Sequence, residues 1–280
     1  MDPMQIEYEA AVAEAKEKST TGPADVALID QATLKLPPGY IYFPAKQSGR
    51  LLRAMGNRVT EDPLGMVVGG EGKQGHWFAV MQYDAAGYVK DDDAKNWKAE
   101  ELLESVRAGT DAANEERRSK GIPESQIIGW IEAPAYDAAR HRLVWSIASK
   151  IKGEPDNAER TVNYNTYALG REGFISLNLV TGASTIEAEK TYAKELLSAL
   201  NFNSGKSYTE FNSSSDKVAK YGLAALVGGV VAKKLGLFAM LAVFLAKFAK
   251  VIGVGALFGG AGLWKYFKTR KASAGADGAT

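Results

Sequence analysis

The sequence predicts an α+β fold, an antiparallel sheet flanked by two main helices, followed by a C-terminal hydrophobic helical tail that anchors in a membrane. Four stretches between positions 126 and 180 are rich in aromatic and β-branched residues and follow one another across short turns, so strands neighbour strands. One stretch before that group and one after it carry apolar residues at helical spacing. Finally, positions 221–267 are nearly all Leu, Ala, Val, Gly and Phe, broken by Lys233, Lys234, Lys247, Lys250 and Lys265.

Positions 4–18 read as a short acidic amphipathic helix bearing Ile6, Ala10, Val12 and Ala13, and the Ser-Thr-Thr-Gly-Pro run at 19–23 breaks it. Together they give an N-terminal helix and linker over 1–24, with no apolar core of the kind a secretion leader carries. Positions 32–36 alternate, Pro37-Pro38-Gly39 turns the chain, and 40–43 is a short strand. Positions 47–55 are helix-like and stop at Gly56-Asn57. Strands follow at 65–68 and 76–83. The Gly69-Gly-Glu-Gly-Lys-Gln-Gly75 run between them is a loop, because its Gly-Lys pair lacks the spacing of a phosphate cradle and leads into no helix.

Positions 91–120 carry the strongest helical pattern, with Leu102, Leu103, Val106, Thr110 and Ala113 on one side and Gly121-Ile-Pro123 as the stop. Strands then fall at 126–132, 142–151, 162–169 and 173–180. Tyr136-Asp137-Ala-Ala turns between the first two, and Gly170-Arg171-Glu172-Gly173 makes a tight hairpin between the last two. A second amphipathic helix covers 186–200, and a short strand lies near 201–202. The soluble domain spans 25–212, the tail 213–270, and a basic, Gly/Ala-rich end 271–280.

Within the tail, the 17 residues 251–267 span about 26 Å at 1.5 Å per residue, a little short of a hydrocarbon core of roughly 30 Å. Trp264 and Tyr266 stand beside Lys265 and Lys268 as interfacial anchors would. Positions 222–246 are long enough to cross, but Lys233 and Lys234 fall at their centre, at roughly 2.5–3.5 kcal/mol each. Either the pair faces a partner or a wet cavity, or the segment breaks there and lies partly at the surface. Gly255 and Gly259 form a GxxxG, and Ala224 and Gly228 repeat the spacing. This suits close helix packing within a hairpin or between copies, although small residues also simply fill apolar segments.

Composition excludes several chemistries. With no Cys there are no disulfides, thiolate metal sites or cysteine nucleophiles, and two histidines leave zinc or iron sites dependent on carboxylates. A formal net charge of +1 gives no general affinity for nucleic acid. The densest carboxylate group, Asp91, Asp92 and Asp93, is the candidate metal site, since hard oxygen ligands suit Ca²⁺ or Mg²⁺. Its spacing is not that of an EF-hand, and acids ahead of a helix also cap its free N–H groups. No GxSxG, SxxK or HExxH frames a nucleophile or a zinc site, so no catalytic residue and no cofactor beyond that cation is assigned. His76 and His141 read as surface or hydrogen-bonded structural residues, and Trp77, Trp97, Trp130 and Trp145 as core.

Seven strings carry a resemblance: Leu36-Pro-Pro-Gly-Tyr40, Gly87-Tyr-Val-Lys-Asp-Asp-Asp-Ala94, Asn114-Glu-Glu-Arg117, Gly129-Trp-Ile-Glu-Ala-Pro-Ala-Tyr-Asp137, Asn163-Tyr164, Leu169-Gly-Arg-Glu-Gly173 and Lys217-Val-Ala-Lys-Tyr-Gly-Leu-Ala-Ala225. Over about 25–267 they resemble the bacterial membrane-anchored family of domain of unknown function 2167. The resemblance implies an envelope protein whose domain lies outside the cytoplasm. It singles out Asn114, Arg117, Gly129, Trp130, Tyr136, Asp137, Gly170, Arg171 and Gly173 without giving them roles. It brings no activity or cofactor. The hairpin 162–180, the helix 186–200 and Ser198-Ala-Leu-Asn-Phe202 are, more loosely, similar to the ending of PsbP- and Mog1-like domains, which implies partner binding rather than catalysis.

The expectation is therefore a non-enzymatic protein of the bacterial inner membrane with a periplasmic domain. It meets the bilayer through 216–270, self-associates through its tail and presents the domain to a protein partner. The alternative is a ligand- or ion-binding sensor built on Asp91–Asp93. An enzyme of unknown class, or a pore lined by Lys233 and Lys234, stands behind both.

Overall fold

The computed structural model describes residues 3–228, apart from 56, 58, 74, 76, 120–122 and 159. In chain order the elements are α1 (Pro3–Glu17), β1 (Thr20–Thr21), β2 (Ala24–Leu28), β3 (Ala32–Leu36), β4 (Tyr40–Pro44), α2 (Ala45–Ala54), β5 (Gly65–Gly69), β6 (Phe78–Asp84), α3 (Ala99–Ser119), β7 (Ser125–Asp137), β8 (Arg142–Ile151), β9 (Thr161–Leu169), β10 (Phe174–Gly182), α4 (Ile186–Ala199) and β11 (Leu200–Phe202).

Two antiparallel meanders, β4–β6 and β7–β10, are sewn together by β6 and β10, which pair from Phe78↔Val180 to Asp84↔Phe174. The result is an eight-stranded sheet in the order β1–β4–β5–β6–β10–β9–β8–β7, beside a three-stranded sheet β11–β3–β2. Because successive side chains alternate between faces, each central strand feeds two cores. On one face Ala79, Met81, Ile175, Leu177 and Leu179 pack against the small sheet and α4. On the other, Met66, Phe78, Val80 and Val180 lie under α1 and α2. Leu143, Trp145, Ile147, Tyr167 and Phe174 lie there under α3 and the segment 223–227. Each such Val, Leu, Ile, Met or Phe side chain contributes about 1.5–3 kcal/mol by leaving water.

The sheet, α3 and α4 fall where the sequence places them, and four boundaries differ. The helix expected from position 91 begins at Ala99, and only a single 3₁₀ turn, Asp92–Lys95, precedes it. Of the aspartates there, Asp93 binds the backbone at Leu223 and Ala224 instead, and Asp92 is exposed. Strand β7 runs on to Asp137, at the edge of the sheet, with register shifts near Gly129 and Glu132. The N-terminal helix is no separate linker: Arg50 of α2 binds Glu7 at 2.8 Å and also Glu14, fastening α1 to α2. Strand β2 follows after β1, with Val26 opposite Leu34.

The fourth difference concerns the tail. Residues 213–228, expected to begin it, fold against the domain instead. Leu223, Ala224, Leu226 and Val227 are buried beside Leu102 and Val106 of α3, around a 3₁₀ turn Leu223–Leu226. A Cβ at Gly228 would stand 2.6 Å from the Leu102 carbonyl oxygen. Ala224 and Gly228 thus pack within the domain, not along a membrane helix. Among the described residues no helix is long and apolar enough to cross a membrane. Lys233, Lys234, Gly255, Gly259, Trp264 and Tyr266 lie outside the described residues, as does His76.

Candidate functional site

After β6 the chain runs beside the segment that leads to the tail, and glycine makes the approach possible. Gly87 has φ +95°, and a Cβ on it would stand 2.5 Å from the Lys217 carbonyl oxygen. Tyr88 can then donate its N–H to Lys217 O at 2.8 Å and accept from Ala219 N at 2.8 Å, while Leu223 N donates to Lys90 O at 3.1 Å. The β9–β10 hairpin tip buttresses this strip: Gly87 N donates to Glu172 O at 3.0 Å, and Gly173 lies so close to Asp84 O that a Cβ would come within 1.9 Å.

Two carboxylates tie the segment down. Asp93 accepts from Leu223 N at 3.1 Å through Oδ1 and from Ala224 N at 3.0 Å through Oδ2, capping the turn Leu223–Leu226. Asp216 receives a fork from Arg171, Nε to Oδ2 at 2.6 Å and Nη2 to Oδ1 at 2.8 Å. That guanidinium, followed by the Asn212 N–H at 2.7 Å, holds the Asp216 carboxyl well below the usual carboxylate range.

An aromatic column stands over the junction. Phe211, Tyr88, Tyr208 and His141 follow one another at centroid spacings of 3.9, 4.3 and 4.2 Å. Such contacts contribute about 0.5–1.5 kcal/mol each beyond their burial. His141 takes φ +53° in the β7–β8 turn, a left-handed position where His is enriched among non-glycine residues. Tyr136 OH donates to Asp91 Oδ2 at 2.6 Å and lies 3.1 Å from His141 Nδ1. Since the hydroxyl has one proton and gives it to Asp91, His141 must present Nδ1–H to it. Burial, then the hydrogen bond to Asp91, pushes the Tyr136 hydroxyl well up, so it stays a donor.

The three carboxylates expected to hold a cation are directed to different places. Asp91 serves Tyr136, Asp93 serves backbone N–H groups, and Asp92 is exposed, so the three carboxylates do not converge. Among the described residues no group of three or more His, Asp or Glu is placed to hold a metal ion.

The other singled-out residues divide in two. Tyr136, Asp137, Gly170, Arg171 and Gly173 build the junction or its hairpins, Asp137 by accepting the Ala139 and Arg140 N–H groups in the β7–β8 turn. Asn114, Arg117 and Trp130 secure α3 beside β7 instead, and Gly129 lies in β7 itself. Asn114 exchanges two hydrogen bonds with Ser125 at 2.8 and 2.9 Å, Arg117 donates to Pro123 O at 3.3 Å, and Trp130 Nε1 donates to Ala99 O at 3.1 Å. Gly129 sits at a register shift of β7. A cleft of about 530 Å³ opens between α3 and β7, lined by Arg107, Asp111, Gln126 and Lys152 among others, and includes none of these nine residues. Sequence reasoning missed Tyr88, Tyr208, Phe211 and Asp216 as site residues. The strings around Gly87 and Lys217 were visible, but nothing in their spacing pairs them.

The model of the family described as protein of unknown function (DUF2167) matches residues 20–257. No curated protein matches. Among solved structures, cyanobacterial PsbP from Synechocystis is similar at 9% identity and TM-score 0.37, covering 66% of this chain and 91% of that one. The Ran-binding protein Mog1p of Saccharomyces cerevisiae is similar at 11% identity and TM-score 0.33, covering 69% of this chain and 100% of that one. These are the two kinds of protein to which the hairpin, helix and Ser198–Phe202 run already bore a likeness.

Proposed function

The chain belongs to the family described as protein of unknown function (DUF2167), and from that membership we propose that it is a membrane-anchored module of the bacterial envelope, acting by assembly and partner binding rather than by catalysis. The apolar segment after Gly228 is its anchor and self-association element, and the folded domain is what it presents, on the periplasmic side of the inner membrane. One observation carries the reading. Strings from separate parts of the chain, around Gly87 and Gly170, converge on the strip 216–226, through the backbone of Tyr88 and Lys90 and the side chains of Asp93 and Arg171, at the point where the apolar run begins. The family match supports it, since it continues to position 257 and so takes domain and apolar segment as one unit.

Two measurements on the full chain test this. After expression and an alkaline wash the protein stays with membranes, and in detergent its light-scattering mass is that of a defined oligomer. Gly255→Leu with Gly259→Leu lowers that mass. A chain recovered from the wash supernatant as a monomer overturns the reading. Protease added to spheroplasts cuts the domain if it faces outward; complete protection places it inside.

A further inference from the structure

On the face of the sheet that bears α4, away from the junction, the chain builds an aromatic pocket around one of its own cations. Lys73 Nζ lies 4.7 Å from the Tyr40 ring centroid and 5.0 Å from that of Tyr192. It donates to Glu195 Oε2 at 2.8 Å. Trp77 closes the group, its ring 6.0 Å from that of Tyr40 and 5.2 Å from that of Tyr192. The faces of such rings are electronegative and attract a cation over them, most strongly when water is excluded.

The walls and the plug differ in how they are held. Tyr40 is fully buried in β4 and gives its hydroxyl proton to Glu195 at 2.6 Å, so the carboxylate is positioned independently of Lys73. Trp77 is buried too, and Tyr192 and Glu195 sit three residues apart on one face of α4. Burial works against charge on Glu195, yet the hydrogen bonds from Lys73 and Tyr40 keep its carboxyl below the usual range. Lys73 follows Gly72, which has φ +76° and open space where its Cβ would be. Its backbone is tied, the N–H donating to Gly70 O and the carbonyl accepting from Trp77 Nε1, both at 3.2 Å, so that its side chain is the part able to leave. The mouth reaches solvent: the Lys73 side chain is 22% exposed and that of Glu195 42%.

We propose that Tyr40, Trp77, Tyr192 and Glu195 form a binding site for an organic ammonium group, held closed by Lys73 of the chain itself. The lysine shows the chemistry the pocket accepts, a cation on two ring faces with a carboxylate at its side. A ligand offering the same group displaces it, and the Lys73 side chain swings out to solvent. A free amine and the headgroup of an ammonium-bearing phospholipid share this chemistry.

The test uses the full chain in a maltoside detergent, with tetramethylammonium chloride as probe and tryptophan fluorescence as readout. Lys73→Ala gives a saturable change with an apparent affinity about tenfold tighter than wild type, because an internal competitor no longer occupies the site. Adding Tyr192→Leu removes the response, with far-ultraviolet circular dichroism unchanged. Should that variant unfold, Glu195→Gln in the Lys73→Ala chain weakens the probe several-fold instead. Choline and dihexanoylphosphatidylcholine, used as competitors, assign the source by which displaces the probe at lower concentration. A Lys73→Ala chain that responds no differently to tetramethylammonium and sodium chloride overturns the site. Equal affinity in wild type and Lys73→Ala overturns the plug, and an unchanged affinity in Glu195→Gln overturns the pocket's composition.

Discussion

Asp93 accepts the backbone N–H of Ala224, 131 positions further along the chain, at 3.0 Å. Its other oxygen shares the N–H of Leu223 with the Lys90 carbonyl, so one carboxylate reaches both donors that open the turn Leu223–Leu226. A local acidic run therefore acts at long range, on the last part of the domain before the apolar run.

Replacing that carboxylate should loosen the junction first. Asp93→Ala costs about 0.5–2 kcal/mol, as the loss of a helix cap does, and raises amide hydrogen exchange at Leu223 and Ala224. Asp93→Asn is milder because it keeps one acceptor. Exchange at both amides that stays at the wild-type rate means the segment is held by other contacts.

Acid should act on the same segment through Asp216. Its folded carboxyl lies below the ordinary range because of Arg171, then the Asn212 N–H. The stability it lends is complete above the unfolded value of about 3.9 and is lost as pH falls through the lower folded value. From about pH 4 downward the wild-type melting temperature should thus fall more steeply than that of Asp216→Asn. Parallel melting curves would show that the Arg171 fork contributes nothing.

Tyr136→Phe removes the hydroxyl that bridges Asp91 and His141, leaving those two 3.8 Å apart. Loss of a hydrogen bond to a charged acceptor should lower stability by about 1.5–3 kcal/mol in urea unfolding. An unchanged midpoint would mean that solvent satisfies Asp91 equally well.

Divalent cations should leave the fold alone. With Asp91 and Asp93 bound to different partners, calcium or magnesium chloride at millimolar concentration gives the melting temperature of sodium chloride at equal ionic strength. A rise that Asp91→Asn together with Asp93→Asn abolishes would show a cation site there.

The regular elements were legible because their signals are local. β8, β9, β10 and α4 each carry their own periodicity, and short turns dictate which strands pair. β2 was not seen, because Ala24–Leu28 is short and follows directly on a Gly-Pro break. The helix drawn from Asp91 was too long because acids ahead of an apolar stripe look like a helix start wherever their oxygens actually point. The junction was illegible for a deeper reason. Arg171 meets Asp216 across 45 positions and Tyr88 meets Lys217 across far more, and neither pairing leaves a trace in spacing. Leu223–Leu226 misled in its own way: an apolar, small-residue run suits a buried turn as well as it suits a bilayer.

The margins of the large sheet set a limit on how copies of this domain can meet. Recruiting a strand from another molecule needs a straight row of free N–H and C=O groups. One margin, β1, is two residues long. At the other, Pro134 has no N–H to offer and the register shifts near Gly129 and Glu132 interrupt the row. Crowded copies are thereby kept from fusing into a shared ribbon through these margins. Contact between copies at these margins falls to side chains rather than to a shared backbone ladder.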